Sequence, residues 1–228
     1  MVYVIADIHG EYDLFLKLLD EISFSESDEI IVCGDMIDKG EKSVKLLQLL
    51  YQMPNATCLL GNHEYSFLKH YWALMKEESD DYDRVLQDLQ GYFSTDGHLL
   101  NWELIDWLES LPYYVEREHF ICVHAGISCE DEKILPLGEN LPEHFLYDRR
   151  FKDPHFLPIT DKCIFFGHTP TSYVCDEDCI LTYLNPRFYG ENSVRKYAKI
   201  HLDTGVWLNG KLGCFCVDTL TDYYVTKE

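Results

Sequence analysis

Two periods of apolar residues run through the chain. Val2–Ala6 is short, apolar and β-branched, which predicts a buried strand. Residues 11–22 place Leu14, Phe15, Leu18, Leu19 and Ile22 three and four apart, one face of a helix. The pair of signals repeats. Glu29–Cys33 predicts a second strand, Val44, Leu47, Leu50 and Tyr51 mark a second helix, and Ala56–Leu60 predicts a third strand. Residues 64–76, 81–90 and 102–108 read as helices, and Pro112 stops the last of them. Beyond it strands dominate: Tyr113–Glu116, Phe120–Val123, Cys163–Phe166, Tyr197–Leu202 and Cys214–Asp218. Asn209-Gly210 predicts a type I′ hairpin between Gly205–Leu208 and Lys211–Val217.

Alternating strands and helices with an antiparallel-looking end predict an α/β fold, a mixed sheet or two packed sheets with helices outside. No repeat, low-complexity segment or linker-like stretch divides the sequence. Its 228 residues, 46% hydrophobic, suffice for one core, so a single domain spanning 1–228 is expected. No apolar run reaches membrane-spanning length, and residues 1–7 read as strand at once rather than as a leader. A cytoplasmic protein with no membrane partner is the expectation.

Charge and cysteines narrow the chemistry. The formal charge is −21, yet residues 181–228 hold six basic and five acidic side chains, so the acidity lies in 1–180. Such a surface repels nucleic-acid backbones, which argues against a nucleic-acid partner. Nine cysteines, an odd number with several inside strand-like runs, fit free buried thiols better than disulfides. The Cys175/Cys179 and Cys214/Cys216 spacings suit a structural zinc site poorly.

Five times an apolar strand stops and a metal-competent residue follows. Val4-Ile5-Ala6 leads to Asp7-Ile8-His9-Gly10, and Ile31-Val32-Cys33 to Gly34-Asp35-Met36-Ile37-Asp38-Lys39-Gly40. Leu59-Leu60 leads to Gly61-Asn62-His63-Glu64, Cys122-Val123 to His124-Ala125-Gly126, and Phe165-Phe166 to Gly167-His168-Thr169-Pro170. Each motif alone fits a plainer role: a structural histidine, a turn asparagine, an aspartate at a helix start. Five in order beyond strand ends point to one crevice, because ligands of α/β sheets collect there.

This ordered pattern resembles the calcineurin-like metallophosphoesterase superfamily. Gly61–Glu64 and Gly167–Pro170 look most like its phosphoprotein phosphatase branch in bacterial and phage form, which also holds the symmetrical dinucleoside tetraphosphatases. The resemblance runs from residue 3 to about 218 and takes in His201–Gly205 and Val217–Thr219. It implies a four-layer αββα fold, a β-sandwich of two mixed sheets flanked by helices. It also implies roles. Asp7 and His9 would hold one metal, Asn62, His124 and His168 a second, and Asp35 would bridge them. His63 would be the proton donor, oriented by Asp38. The chemistry agrees: a carboxylate can bridge cations about 3.5–4 Å apart, and mixed imidazole, carboxylate and amide ligands suit Mn²⁺, Fe or Zn²⁺.

Phosphate would be gripped by Asn62, Lys39 and Arg149. Lys39 is a departure, since the resemblance implies arginine there, and lysine lacks the bidentate fork. Arg149, in Tyr147-Asp148-Arg149, matches a Trp-x-Arg-like segment, with Arg150 beside it. Three functions compete. The first is a phosphomonoesterase like a bacterial-type serine/threonine protein phosphatase, acting on a phosphorylated protein, peptide or small phosphoester. The second, a dinucleoside polyphosphate hydrolase, needs base-stacking aromatics and more cations than Lys39, Arg149 and Arg150. The third, a non-catalytic binding protein, predicts lost ligands, and none is lost. The basic, aromatic segment 183–197 would either overhang the site or form a plain surface hairpin. His70, His98, His119, His144, His155 and His201 read as ordinary surface or helix residues.

Overall fold

The computed structural model describes residues 1–76, 89, 92 and 100–227. Its strands, in chain order, are β1 (Val2–Ile5), β2 (Glu29–Val32), β3 (Ala56–Cys58), β4 (Tyr114–Glu116), β5 (Phe120–Val123), β6 (Cys129–Glu130), β7 (Lys133–Ile134), β8 (Cys163–Phe166), β9 (Leu181–Leu184), β10 (Tyr197–His201), β11 (Lys211–Cys216) and β12 (Thr221–Thr226). The helices are α1 (Tyr12–Glu21), α2 (Ser43–Gln52), α3 (Asn62–Met75), α4 (Trp102–Ser110), α5 (Pro142–Tyr147) and α6 (Val206–Asn209). The helix expected over 81–90 lies outside the described residues except for Leu89, and His98 lies outside them too.

Two mixed sheets stack face to face. The first has the order β12-β11-β1-β2-β3, with β1, β2 and β3 parallel; the second has the order β4-β5-β8-β10-β9, with β5, β8 and β10 parallel. Side chains alternate across each strand, so one strand feeds two cores. Val4 and Ile31 point inward to meet Cys122, Phe165 and Ile200 of the second sheet. Tyr3, Ile5, Ile30 and Val32 point outward, under α1, α2, α3 and α4. On the far side Ile121, Val123, Ile164 and Phe166 are covered by Phe145 of α5 and Phe151. The outer layer there is thin, one six-residue helix with short turns and the β6–β7 hairpin.

The structure corrects two expectations and decides a third that the sequence left open. Asn209-Gly210 ends a helix instead of turning a hairpin. Gly210 adopts φ 71° and donates its N–H to the Val206 carbonyl at 2.8 Å, a left-handed cap on α6. The true hairpin partner of β11 is β12, paired from Lys211↔Thr226 to Cys216↔Thr221. Segment 183–197 does not overhang the strand-end motifs. Because β10 runs parallel to β8, Tyr197 lies at the end of the sheet opposite Gly167-His168. There Asn185 donates to the Thr160 carbonyl and Arg195 to the Asp161 carbonyl, both just ahead of β8. Finally, His201 is fully buried rather than at the surface.

All nine cysteines are free. Among the described residues, none joins a group able to hold a metal, and no helix is long and apolar enough to cross a membrane.

Candidate metal centre

Parallel strands of both sheets end at one rim, and the five motifs leave from those ends. Asp7 and His9 follow β1, Asp35 follows β2, and His124 and His168 follow β5 and β8. Asn62 and His63 occupy the first turn of α3, after β3. The loops are stitched laterally: Asp7 N–H donates to Gly34 O at 3.2 Å, His9 N–H to Asp35 O at 2.9 Å, and Gly167 N–H to His124 O at 2.8 Å. The turns are tight enough to force left-handed backbone on residues that avoid it. Asp7, His9, Asp35, Asp38, Lys39 and His168 have φ of 54°, 48°, 52°, 67°, 64° and 69°. Each costs about 1 kcal/mol or more, and such strain gathers at functional sites. Only glycine fits at 61 and 167, because a Cβ would run into the carboxylates of Asp35 and Asp7.

Asp35 lies at the centre. One carboxylate oxygen, Oδ2, is 3.9 Å from His9 Nε2 and 3.8 Å from His63 Nε2; the other, Oδ1, is 3.5 Å from His124 Nε2. Two metal-competent triads therefore share it, His9–Asp35–His63 and Asp35–His124–His168. Asn62 Oδ1 joins the second, 2.8 Å from both His124 Nε2 and His168 Nδ1, which are 3.2 Å apart. The buried Asp7 carboxylate accepts the His168 N–H at 2.9 and 3.1 Å, tying the two sheets together.

The ring nitrogens are preset to accept a cation. His9 Nδ1 donates to the Ile37 carbonyl at 2.8 Å and His124 Nδ1 to the Cys33 carbonyl at 2.9 Å, which turns each Nε2 lone pair inward. Burial keeps the rings neutral: it lowers His9 to about 4, His168 to about 3, and His124 below its ordinary value. Burial would raise Asp35, but the charge that His63 favours and the His63 backbone N–H on Oδ1 at 3.0 Å bring it below its ordinary value. Asp7 is pushed well up by burial and by the charges of Asp203 and Asp35. Inward lone pairs and two carboxylates crowded out of water, with only backbone N–H groups of His168 and His63 to meet them, fit divalent cations.

His63 is built differently. Its Nδ1 donates to Asp38 Oδ2 at 2.6 Å, leaving Nε2 toward the crevice. Desolvation would lower its pKa, but the Asp38 hydrogen bond and the charges of Asp35 and Asp38 raise it, favouring imidazolium. Burial would raise Asp38, but hydrogen bonds from His63 and Tyr92 bring it down.

The sequence profile of the calcineurin-like phosphoesterases matches residues 1–210. The chain belongs to that family. The symmetrical bis(5′-nucleosyl)-tetraphosphatase of Wigglesworthia glossinidia brevipalpis is 36% identical over 132 residues, which are 55% of this chain and 44% of that protein. The chain thus matches less than half the length of that relative. A crystal structure provisionally named a diadenosine tetraphosphatase superposes with a TM-score of 0.67 at 20% identity, covering 99% of this chain and 92% of the other. A cold-active protein tyrosine phosphatase from a psychrophilic Shewanella gives 0.58 at 18% identity, over 98% and 79%. These two share the calcineurin-like phosphoesterase fold.

On this calcineurin-like scaffold Lys39 and Arg149, the two cations among the three expected phosphate ligands, reach the rim beside Asn62. Lys39 Nζ lies 3.3 Å from His9 Nε2 and 4.2 Å above the Trp207 ring. Arg149 Nη1 donates to Thr169 Oγ1 at 3.2 Å, beside His168. Arg150 turns away, to the Ile127 carbonyl and Asp148. Four residues near the site carried no assigned role in the sequence reading. Trp207 sits on α6, where a hairpin was expected. Tyr147 brings its ring to 6.4 Å from His168. Tyr92 donates its hydroxyl to Asp38 Oδ1. Glu64, fully buried in the first turn of α3, accepts four backbone N–H groups, from Gly61, Asp35, Met36 and Ile37, at 2.7–3.1 Å. Burial and the nearby Asp35 push it up to about 7. Its place in the Gly-Asn-His-Glu motif was the available signal, read as a helix start.

Proposed function

We propose that the chain hydrolyses phosphate esters at a pair of divalent cations. The observation that carries this is the Asp35 carboxylate, which turns one oxygen to each triad. Asp7 and His9 would hold the first cation, Asn62, His124 and His168 the second, and Asp35 both; His63, though it lies in the first triad, is kept for proton transfer by its bond to Asp38. Bound there, Mn²⁺, Fe or Zn²⁺ would supply Lewis acidity and acidify a water to serve as nucleophile. The chain's own groups do the rest. His63, kept protonated by Asp38, gives its Nε2 proton to the departing oxygen, worth about 10²–10⁴-fold. Lys39, Arg149 and the Asn62 amide counter the negative charge of the phosphoryl oxygens.

Two readings of the substrate remain, and the walls of the site favour a dinucleoside polyphosphate over a phosphoprotein. Trp207 (39% exposed) stands beside Lys39 and the first triad, and Tyr147 (44% exposed) beside His168 and the second. An aromatic face at each end suits a base at each end. Next to Lys39, a cleft of about 360 Å³ also bears Lys42 and Lys227, each paired with an acid of the same cleft, Asp13 and Glu11, so the case for a dinucleotide rests on the aromatic faces. The tetraphosphatase relative supports the same reading, which reverses the order expected from composition.

With Mn²⁺ the protein should cleave p-nitrophenyl phosphate, and His63→Ala should cut turnover about 10²-fold or more while metal content is unchanged. No turnover with any of the three metals would contradict the hydrolase reading. Assayed side by side, diadenosine tetraphosphate should be hydrolysed faster than a phosphoserine peptide. Trp207→Ala should raise KM by a larger factor for the dinucleotide, which loses a base contact, than for p-nitrophenyl phosphate, which loses only the support of Lys39. Faster peptide turnover, insensitive to Trp207, would favour the phosphoprotein reading instead.

A further inference from the structure

Asp38 is gripped on both carboxylate oxygens. His63 Nδ1 donates to Oδ2, and the Tyr92 hydroxyl donates to Oδ1. The second contact is not needed to build the metal site, and no sequence motif marks Tyr92. Yet the tyrosine is 7% exposed, its ring packs on Phe67 with centroids 4.6 Å apart, and its carbonyl accepts the Leu100 N–H at 3.0 Å. Phe67 belongs to α3, the helix whose first turn carries His63. One packed unit therefore presents both the acid and the phenol to Asp38. Asp38 needs the support. It stands in left-handed backbone with φ 67°, its side chain is 38% exposed, and a half-solvated carboxylate held at one oxygen is free to turn.

We propose that Tyr92 is a positioning residue for the general acid: its hydroxyl locks the Asp38 carboxylate, which in turn keeps His63 Nε2 aimed at the departing oxygen. This rests on His63 being the proton donor, as argued above. In that step a water oxygen bonds to phosphorus and releases one proton to solvent, and the phosphorus–leaving-oxygen bond breaks, its electron pair passing to the leaving oxygen. That oxygen takes the proton from Nε2, and solvent later returns one to the imidazole. Tyr92 gives up no proton. It fixes a geometry, and misaimed protonation penalises poor leaving groups most.

The test compares phenyl phosphate, whose leaving group is the stronger base, with p-nitrophenyl phosphate, both with Mn²⁺. Tyr92→Phe keeps the ring packing and removes the hydroxyl alone. Its kcat should fall about tenfold on phenyl phosphate and no more than about twofold on p-nitrophenyl phosphate, with KM nearly unchanged. In a His63→Asn background, Tyr92→Phe should cost nothing further, because the group it positions is gone. Equal losses on both esters, a loss that persists in the His63→Asn background, or no loss at all would overturn the proposal. A general folding defect would show as the first two of these. Turnover by the wild type separates the two claims: without it the hydrolase reading fails and this inference with it, and with it a flat Tyr92→Phe result refutes the inference alone.

Discussion

Lys39 shows how one residue can tune a site that is otherwise complete. Its ammonium is held between His9 Nε2 and the face of Trp207, so the indole does for a point charge what a planar fork does for arginine: it fixes direction. Lys39→Ala should raise KM for p-nitrophenyl phosphate several-fold, and Lys39→Arg should restore or improve it; steady-state kinetics decide. His201 makes a different kind of contribution. Burial holds its pKa down to about 3, and its ring stacks on Phe166 with Nε2 donating to the Thr169 carbonyl at 2.6 Å. In the unfolded chain the ring ionises near 6.5. The unfolded state therefore binds the extra proton, and stability is lost as pH falls below about 6.5, by about 2 kcal/mol at pH 5. His201→Phe should take about 2 kcal/mol off the stability difference between pH 5 and 7 in denaturant titrations, the buried His9, His124 and His168 keeping the rest of the acid limb, and an unchanged pH dependence would count against the neutral buried ring.

At the scale of elements, the site is a set of strand ends and one helix start, and Glu64 joins them. Its carboxylate accepts N–H groups from the loops after β2 and β3 at once. Glu64→Ala would leave four buried donors unsatisfied and should destabilise the fold by more than about 3 kcal/mol, with loss of bound metal. Glu64→Gln should cost less, and a denaturant midpoint equal to wild type for either would contradict the clamp. The strand ends were legible because polarity switches abruptly where an apolar run meets Asp7, Asp35, His124 or His168. The candidate side chains that the rim brings together could be named from their order alone. Asn209-Gly210 was misread because a left-handed glycine serves a helix cap as well as a type I′ turn, and only the Gly205 φ of 73° at the other end of α6 tells them apart. Strand β12 escaped because its edge position leaves Thr221 and Asp222 exposed, which breaks the apolar pattern. His201 opens the His201–Gly205 segment that the resemblance takes in, but its burial depends on the Phe166 and Thr169 packing that sequence does not reveal. Tyr92 and Trp207 reach the site by tertiary packing alone.

At the scale of the molecule, the candidate centre is a seam. Asp7, His9, Asp35 and Asn62 come from the first sheet's strand ends, and His124 and His168 from the second's. Cations bound there would staple the sheets and offset part of a formal charge of −21. Mn²⁺ at about one hundred times its dissociation constant should stabilise the fold by about 2.7 kcal/mol, read as a higher melting temperature that chelator reverses. An unchanged melt would argue against metal at the seam. Two cations sharing Asp35 would be coupled through its carboxylate. Equilibrium Mn²⁺ titration of the wild type and Asp35→Ala, followed by spin-coupled electron paramagnetic resonance, tests this directly. Two bound Mn²⁺ with exchange coupling in the wild type, both weakened and the coupling lost in Asp35→Ala, is the predicted result. One equivalent in the wild type, or two coupled ions retained without Asp35, would contradict it.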